Sequence, residues 1–219
     1  MIHNRWKGER ISIANDTRVP LMQTHLSRYV WAMEYCVEKD VLDVGCGTGY
    51  GTWLESIVAT KALGIDMCAE AIEEAKQTFG GEFFCTTLEG VEIDKQFDVV
   101  TCFEVLEHLN NLDVGMEAIA RYMKPNGIAL ISLPLHQPSE FHHRRDFSYQ
   151  QWKALLSQYF DIKGIYYQEW EDDLSNNVCI MRAYYIADSV VMEDWHEAFL
   201  RIEPDTGIII FVCHRKATA

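Results

Sequence analysis

The chain has 219 residues, of which 48% are hydrophobic and 24% are charged, as expected for one globular domain with a sizeable core. The formal net charge of −14 disfavours a nucleic-acid partner, because phosphate binding needs clustered lysine and arginine. No apolar run is long enough to span a membrane, and residues 1–10 are too polar for a signal peptide. Seven cysteines without C-x-x-C spacing predict reduced thiols and a cytoplasmic protein.

The N-terminal part of the chain predicts an arm followed by one helix. Residues 1–20 show little periodicity, whereas apolar residues recur at helical spacing over residues 21–37. We interpret this helix as a cover for the core. A ligand-binding role for His25 or Arg28 is the less favoured alternative.

The most informative stretch is V-L-D-V-G-C-G-T-G-Y-G, residues 41–51. Its first four residues predict a short buried strand, and its alternate glycines predict a tight turn, since glycine tolerates positive φ. Apolar residues at helical spacing follow, so a helix begins directly after the turn. Such a loop gathers free backbone N–H groups and the positive end of a helix dipole, which favours a ligand with an anionic group. Asp43 disfavours a pyrophosphate and favours an ammonium group.

The spacing G-x-G-x-G differs from the dinucleotide fingerprint G-x-G-x-x-G. The whole stretch resembles the first motif of the class I S-adenosylmethionine-dependent methyltransferases. This resemblance implies S-adenosylmethionine as cofactor and S-adenosylhomocysteine as product. It also implies cofactor contacts from five residues of the motif: Asp43, Gly45, Cys46, Gly47 and Gly49.

Two further predicted strands are expected to carry the residues that contact the adenosine part of the cofactor. Residues 62–65 form the second strand, and Asp66 at its end is placed to accept hydrogen bonds from both ribose hydroxyls. The less favoured alternative is that Asp66 only caps the next helix. A helix over residues 68–79 and a third strand over residues 82–86 follow. Many relatives carry an acid after that strand, where this chain has only Glu89 as a substitute. By resemblance, the remaining adenosine contacts come from Met67, Thr87 and Leu88.

The fourth strand, residues 97–103, leads into E-V-L-E-H-L, which resembles the corresponding region of ubiquinone-type O-methyltransferases. Ligands of open parallel sheets lie at the carboxyl ends of the strands, so Phe103 and Glu104 are expected beside the cofactor.

The rest of the chain continues the alternation of strands and helices, which predicts a doubly wound, Rossmann-like α/β fold. By resemblance, its sheet has seven strands, and the last is antiparallel between the fifth and sixth. A capping box at Ser148 begins the helix after the fifth strand. The remaining elements are predicted at residues 111–122 (helix), 128–133, 160–167 and 207–213 (strands).

We expect one methyltransferase domain over residues 1–219. It consists of an arm and helix (1–38), a core (39–167 and 207–214) and an insertion (168–206). The insertion is longer than an ordinary loop, and it predicts a strand at 178–187 and a helix at 188–202.

Methyl transfer to oxygen or nitrogen requires an aligned nucleophile and a base or metal that removes its proton. His108, Glu104 and His143 are the candidate catalytic residues, with His108 favoured as general base. A divalent metal is the less favoured alternative. If residues 104–108 were helical, their acids and imidazole would share one face, with a further ligand from the loop after the fifth strand. The candidate ligands are Glu104, Glu107, His108 and His142.

The favoured hypothesis is a methyltransferase that acts on an oxygen atom of a small molecule or sugar. A metal-dependent RNA 2′-O-methyltransferase is a second hypothesis, and the net charge weighs against it. The third is a non-catalytic cofactor-binding scaffold on the same fold. A nicotinamide-dependent dehydrogenase is disfavoured by the loop spacing. The acceptor and the oligomeric state stay open.

Overall fold

The structure, a computed structural model, describes residues 19–90, 93–135, 147–168 and 207–216. Within these residues five helices surround one mixed sheet. The helices are α1 (Val19–Cys36), α2 (Tyr50–Ser56), α3 (Ala69–Phe79), α4 (Leu112–Tyr122) and α5 (Tyr149–Tyr159). The strands are β1 (Asp40–Val44), β2 (Lys61–Asp66), β3 (Glu82–Cys85), β4 (Phe97–Phe103), β5 (Met123–Leu135), β6 (Phe160–Gln168) and β7 (Gly207–Arg215).

The seven described strands lie in the order β3-β2-β1-β4-β5-β7-β6. The pairs among β1 to β5 are parallel, and β7 runs antiparallel to both of its neighbours. The doubly wound fold with an antiparallel last strand is therefore confirmed. In this topology the carboxyl ends of β1 to β6 meet at one edge of the sheet, where ligands of such folds bind.

The central strands are buried on both faces, as the apolar runs in β1 and β4 predict. Val41 packs with Tyr29 of α1 on one face, whereas Leu42 packs with Met116 of α4 on the other. Since neighbouring strand residues point to opposite faces, Asp43 points to the same face as Val41. That face is covered by α1 and α2, so these two helices decide what surrounds Asp43.

The predicted bounds of most elements agree with the structure within two residues, but β5 begins five residues earlier than predicted. Met123 already pairs with Phe97, and the pairing resumes at Val99 and Ile128 after a register shift. This irregularity accommodates Pro125, which has no N–H to give to a ladder.

The capping box of α5 is confirmed: the Ser148 side chain accepts from the backbone of Gln151, whose side chain accepts from the Ser148 backbone. The strand predicted at 178–187 and the helix at 188–202 lie outside the described residues. No helix in the described part of the chain is long and apolar enough to cross a membrane.

We expect the glycine loop to tolerate substitution unevenly, because its glycines differ in the space around them. A Cβ on Gly49 (φ +85°) would lie 2.6 Å from the Ala75 Cβ, whereas a Cβ on Gly47 (φ +54°) would meet nothing within 4 Å. Gly47→Ala should lower the free energy of unfolding by about 1 to 2 kcal/mol through backbone strain alone. Gly49→Ala should lose about 1 to 3 kcal/mol more through overpacking. Chemical denaturation measures both, and equal losses would contradict the packing argument.

Candidate functional site

The glycine loop between β1 and α2 is attached to the end of β2 by its own backbone. The N–H groups of Gly45 and Cys46 both donate to the Ile65 carbonyl oxygen, at 2.8 and 3.0 Å. The Gly47 N–H donates to Asp66 Oδ2 at 3.0 Å. The prediction that the loop gathers free N–H groups is therefore wrong for these three residues. The N–H groups of these three residues hold the loop in place instead. The helix that follows the loop, α2, has only seven residues.

Asp66 stands where the sequence predicted, at the end of β2 beside the glycine loop. Its Oδ1 accepts from the Cys68 N–H at 2.8 Å, so its carboxylate joins the loop to the start of α3. A carboxylate oxygen has two lone pairs, so each can accept more than one donor. The predicted contact with ribose hydroxyls stays a prediction that this geometry allows.

Asp43 lies wholly buried beneath the loop, not on its open side. Thr52 donates to Asp43 Oδ2 at 2.6 Å, and Tyr29 and Thr101 donate to Oδ1 at 3.1 and 3.3 Å. Burial raises the pKa of Asp43 to about 6, although these three hydroxyl donors lower it and the charge of Asp66 raises it. The hydrogen bonds connect β1 with α1, α2 and β4. The predicted contact between Asp43 and the cofactor ammonium stays a prediction.

Aromatic side chains form one wall at the carboxyl ends of β1 and β4. Tyr29 packs edge-on against Phe103, the last residue of β4, with ring centroids 5.0 Å apart, and against Tyr50 at 5.6 Å. His25 Nδ1 lies 3.0 Å from the Tyr50 hydroxyl oxygen. The predicted neighbour Phe103 thus stands at the expected edge, and α1 reaches over the same edge.

Glu104 directly follows β4 in the left-handed region, at φ +56°. Its carboxylate Oε1 accepts from Ser132 at 2.7 Å and forms an ion pair with Arg28 Nη1 at 2.9 Å. The helical face predicted for Glu104, Glu107 and His108 is wrong, because only Leu106–His108 is helical, as a single 3₁₀ turn. The positive φ of Glu104 changes the direction of the backbone before the 3₁₀ turn begins.

Arg28 is the residue whose position the sequence analysis missed. Its side chain is only 1% exposed, and among the described residues its Nε and Nη2 have no hydrogen-bond partner. Its Nη1 also donates to Ser132 at 3.1 Å, which places the guanidinium at the ends of β4 and β5. Arg28 shares the buried face of α1 with Ala32 and Cys36, and this spacing of four residues was the signal in the sequence. Two unused donors on a buried cation favour an anionic ligand group.

Glu107 and His108 lie in the 3₁₀ turn after Glu104. The Glu107 carboxylate is buried, and its Oε1 lies 3.7 Å from His108 Nε2. Within the residues that the structure describes, no group of three or more side chains is arranged to hold a metal ion. His142 and His143 lie outside those residues, so their predicted roles stay predictions.

On the adenosine side, Met67 follows Asp66 and is 58% exposed. Thr87 is exposed, and its hydroxyl accepts from the Gly90 N–H at 3.0 Å. Leu88 packs its side chain into the core, which leaves its backbone for the predicted contact. These three residues lie after β2 and β3, at the same edge as Asp66.

Residues 30–175 match a family described as a methyltransferase domain, and this match covers two thirds of the chain. The chain belongs to this methyltransferase family. Its fold is that of the class I methyltransferases.

The ubiquinone biosynthesis O-methyltransferase of Rickettsia typhi is 34% identical over 116 residues, 46% of this chain and 47% of that protein. The corresponding protein of Bradyrhizobium diazoefficiens is 31% identical over 97 residues, 42% of this chain and 38% of that protein. The chain spans about half the length, or less, of the curated relatives it matches.

Solved structures show the same fold at low identity. The N-methyltransferase NodS from Bradyrhizobium japonicum, in complex with S-adenosylhomocysteine, has a TM-score of 0.61 at 12% identity, covering 89% of this chain and 88% of that one. The [4+2]-cyclase SpnF has a TM-score of 0.67 at 16% identity, covering 93% of this chain and 86% of that one. At such identities the likeness concerns the fold alone.

We expect the Arg28–Glu104 ion pair to stabilise this methyltransferase domain far more than a surface pair does. Arg28→Met should lower the free energy of unfolding by about 3 kcal/mol, because it leaves Glu104 unpaired in a mostly buried position. Lys61 and Glu82, whose side chains are 42% and 46% exposed, provide the control. Lys61→Met should lose less than about 1 kcal/mol. Urea denaturation measures both, and a similar small loss in each would contradict a buried pair.

Proposed function

We propose that the chain is an S-adenosylmethionine-dependent methyltransferase that methylates an oxygen atom of a small molecule. The supporting observation is the glycine loop bound to Asp66 at the end of β2, within the region that matches the methyltransferase family. The named relatives are O-methyltransferases, which favours oxygen as the acceptor atom.

The residues at the strand ends fit this cofactor. Nε and Nη2 of Arg28, which have no hydrogen-bond partner within the described part of the chain, suit the carboxylate of the cofactor's amino-acid part. The Asp66 carboxylate suits the ribose of the cofactor. The other proposed contacts are Gly45, Cys46, Gly47, Gly49, Met67, Thr87, Leu88 and Phe103, with Asp43 supporting the loop from below. When bound, the cofactor supplies a methyl group on a sulfonium, and S-adenosylhomocysteine remains.

The protein must align the acceptor hydroxyl and remove its proton. We assign His108 the role of the base that accepts this proton. Its imidazole lies beside the Glu107 carboxylate at the end of β4. Arg28 and Ser132 both bind Oε1 of Glu104, so we assign Glu104 the positioning of Arg28. His143 stays a candidate from the sequence.

A small-molecule acceptor agrees better with this chain than RNA does. The net charge of −14 opposes a polyanion, and the metal site proposed for an RNA enzyme needs the Glu104 carboxylate that Arg28 holds. The six described cysteines are free thiols, which supports the proposed cytoplasmic location.

The cofactor assignment is tested by calorimetric titration with S-adenosylhomocysteine and with an analogue that lacks both ribose hydroxyls. The unmodified protein should prefer the natural ligand by about 10- to 100-fold, since hydrogen bonds to a charged group are strong. Asp66→Asn should narrow that preference by about tenfold, and Asp161→Asn on the exposed side of β6 should leave it unchanged. If Asp66→Asn weakens both ligands equally, Asp66 acts only through the loop. No binding of S-adenosylmethionine would overturn the proposed function.

The base assignment is tested with the acceptor that a screen of phenols, catechols and sugars identifies. His108→Gln should lower kcat by about 100-fold or more, because a general base is removed, while the Kd for S-adenosylhomocysteine changes little. His214→Gln, at the far end of β7, is the matched control and should retain full turnover. A variant that loses cofactor affinity but keeps kcat would make His108 a cofactor contact.

A further inference from the structure

A second buried acid lies close to Asp43 and takes no part in the proposed chemistry. Glu55 of α2 is wholly buried, three residues after Thr52, so both side chains share one face of the helix. Neither of its carboxylate oxygens has a hydrogen-bond partner of good geometry among the described residues. An ionised carboxylate in such a position is strongly unfavourable.

Among the residues that the structure describes, the groups that face Glu55 from the surrounding elements carry no positive charge. They are Asp43 of β1, Thr101 of β4, and Tyr29 and Cys36 of α1. Burial and the charge of Asp43 raise the pKa of Glu55 well above its usual value, and the nearby Thr101 hydroxyl offsets only part of this. Burial likewise raises the pKa of the Tyr29 hydroxyl and the Cys36 thiol, which therefore stay neutral.

The two acids differ in what surrounds them. Asp43 receives three hydroxyl donors, which stabilise a carboxylate, whereas Glu55 receives no well-formed hydrogen bond from any residue that the structure describes. One negative charge in this cluster therefore belongs on Asp43 and one proton on Glu55. If both ionised, two like charges would lie close together in the buried core.

We propose that Glu55 is a positioning residue that keeps its proton at neutral pH and thereby holds α2, with the glycine loop before it, against β1. When Glu55 loses this proton, its negative charge pushes α2 away from Asp43 and loosens the glycine loop. The effect on ligand affinity rests on the proposed function, whereas the protonation of Glu55 does not.

Infrared spectroscopy tests the proton directly. The folded protein at pH 7 should show the carbonyl stretch of a buried protonated carboxylic acid. That band should disappear in Glu55→Gln and persist in Glu34→Gln, a control at an exposed acid of α1. A spectrum that is identical in the unmodified protein and Glu55→Gln would overturn the proposal.

Stability provides a second test, because the unfolded chain releases the proton that the folded chain keeps. The contribution of Glu55 to the free energy of unfolding is fully present below its ordinary pKa of 4.5. This contribution is lost as the pH rises toward the higher pKa that Glu55 has in the folded protein. The unfolding constant of the unmodified protein, divided by that of Glu55→Gln, should rise about tenfold per pH unit from pH 5 to 7. Asp43 titrates in both proteins, so the ratio isolates Glu55.

A ratio that does not change with pH would overturn the proposal. Failure of Glu55→Gln to fold would do the same, since glutamine matches the neutral acid in shape.

Ligand affinity tests the positioning role. At pH 7 Glu55→Gln should bind S-adenosylhomocysteine as tightly as the unmodified protein. Above neutral pH the unmodified protein should lose affinity and Glu55→Gln should keep it. Identical pH profiles would overturn the positioning role. If the unmodified protein binds no S-adenosylhomocysteine, the proposed function fails, and the infrared and unfolding tests still decide the proton.

Discussion

The structure depends on how one buried carboxylate is satisfied. Asp43 lies in the central strand, out of contact with water, and is stabilised by hydroxyl groups of Tyr29, Thr52 and Thr101. An ionised group at such depth requires donors of this kind. Because the donors come from α1, α2 and β4, satisfying Asp43 also fixes the helices and the strand that surround the glycine loop.

A second set of polar contacts fixes the open side of the same edge. Asp66 binds the backbone of the loop and of the next helix, and Glu104 binds Arg28 and Ser132. These contacts hold backbone and side chains in place before any ligand arrives. Such preorganisation is what a methyl-transfer site needs, because much of its rate comes from alignment.

Fold and chemistry have to be argued separately for this architecture. The same fold occurs in an N-methyltransferase and in a [4+2]-cyclase, so the sheet by itself does not define the reaction. The family match and the loop anchored on Asp66 support methyl transfer here. The acceptor does not follow from the fold, and His108 after β4 is the residue that we propose to act on it.

The sequence by itself determined the alternation of strands and helices, the glycine turn and Asp66 at the end of β2. These features are local: apolar spacing, glycine at positive φ and a capping box act over a few residues. Tertiary structure decided the rest, since it depends on contacts between distant segments. Arg28 meets Glu104 only because α1 crosses the ends of β4 and β5. Glu55 feels the charge of Asp43 only because α2 packs on β1. The backbone of Glu104 is left-handed, so the helical face that the spacing predicted does not form.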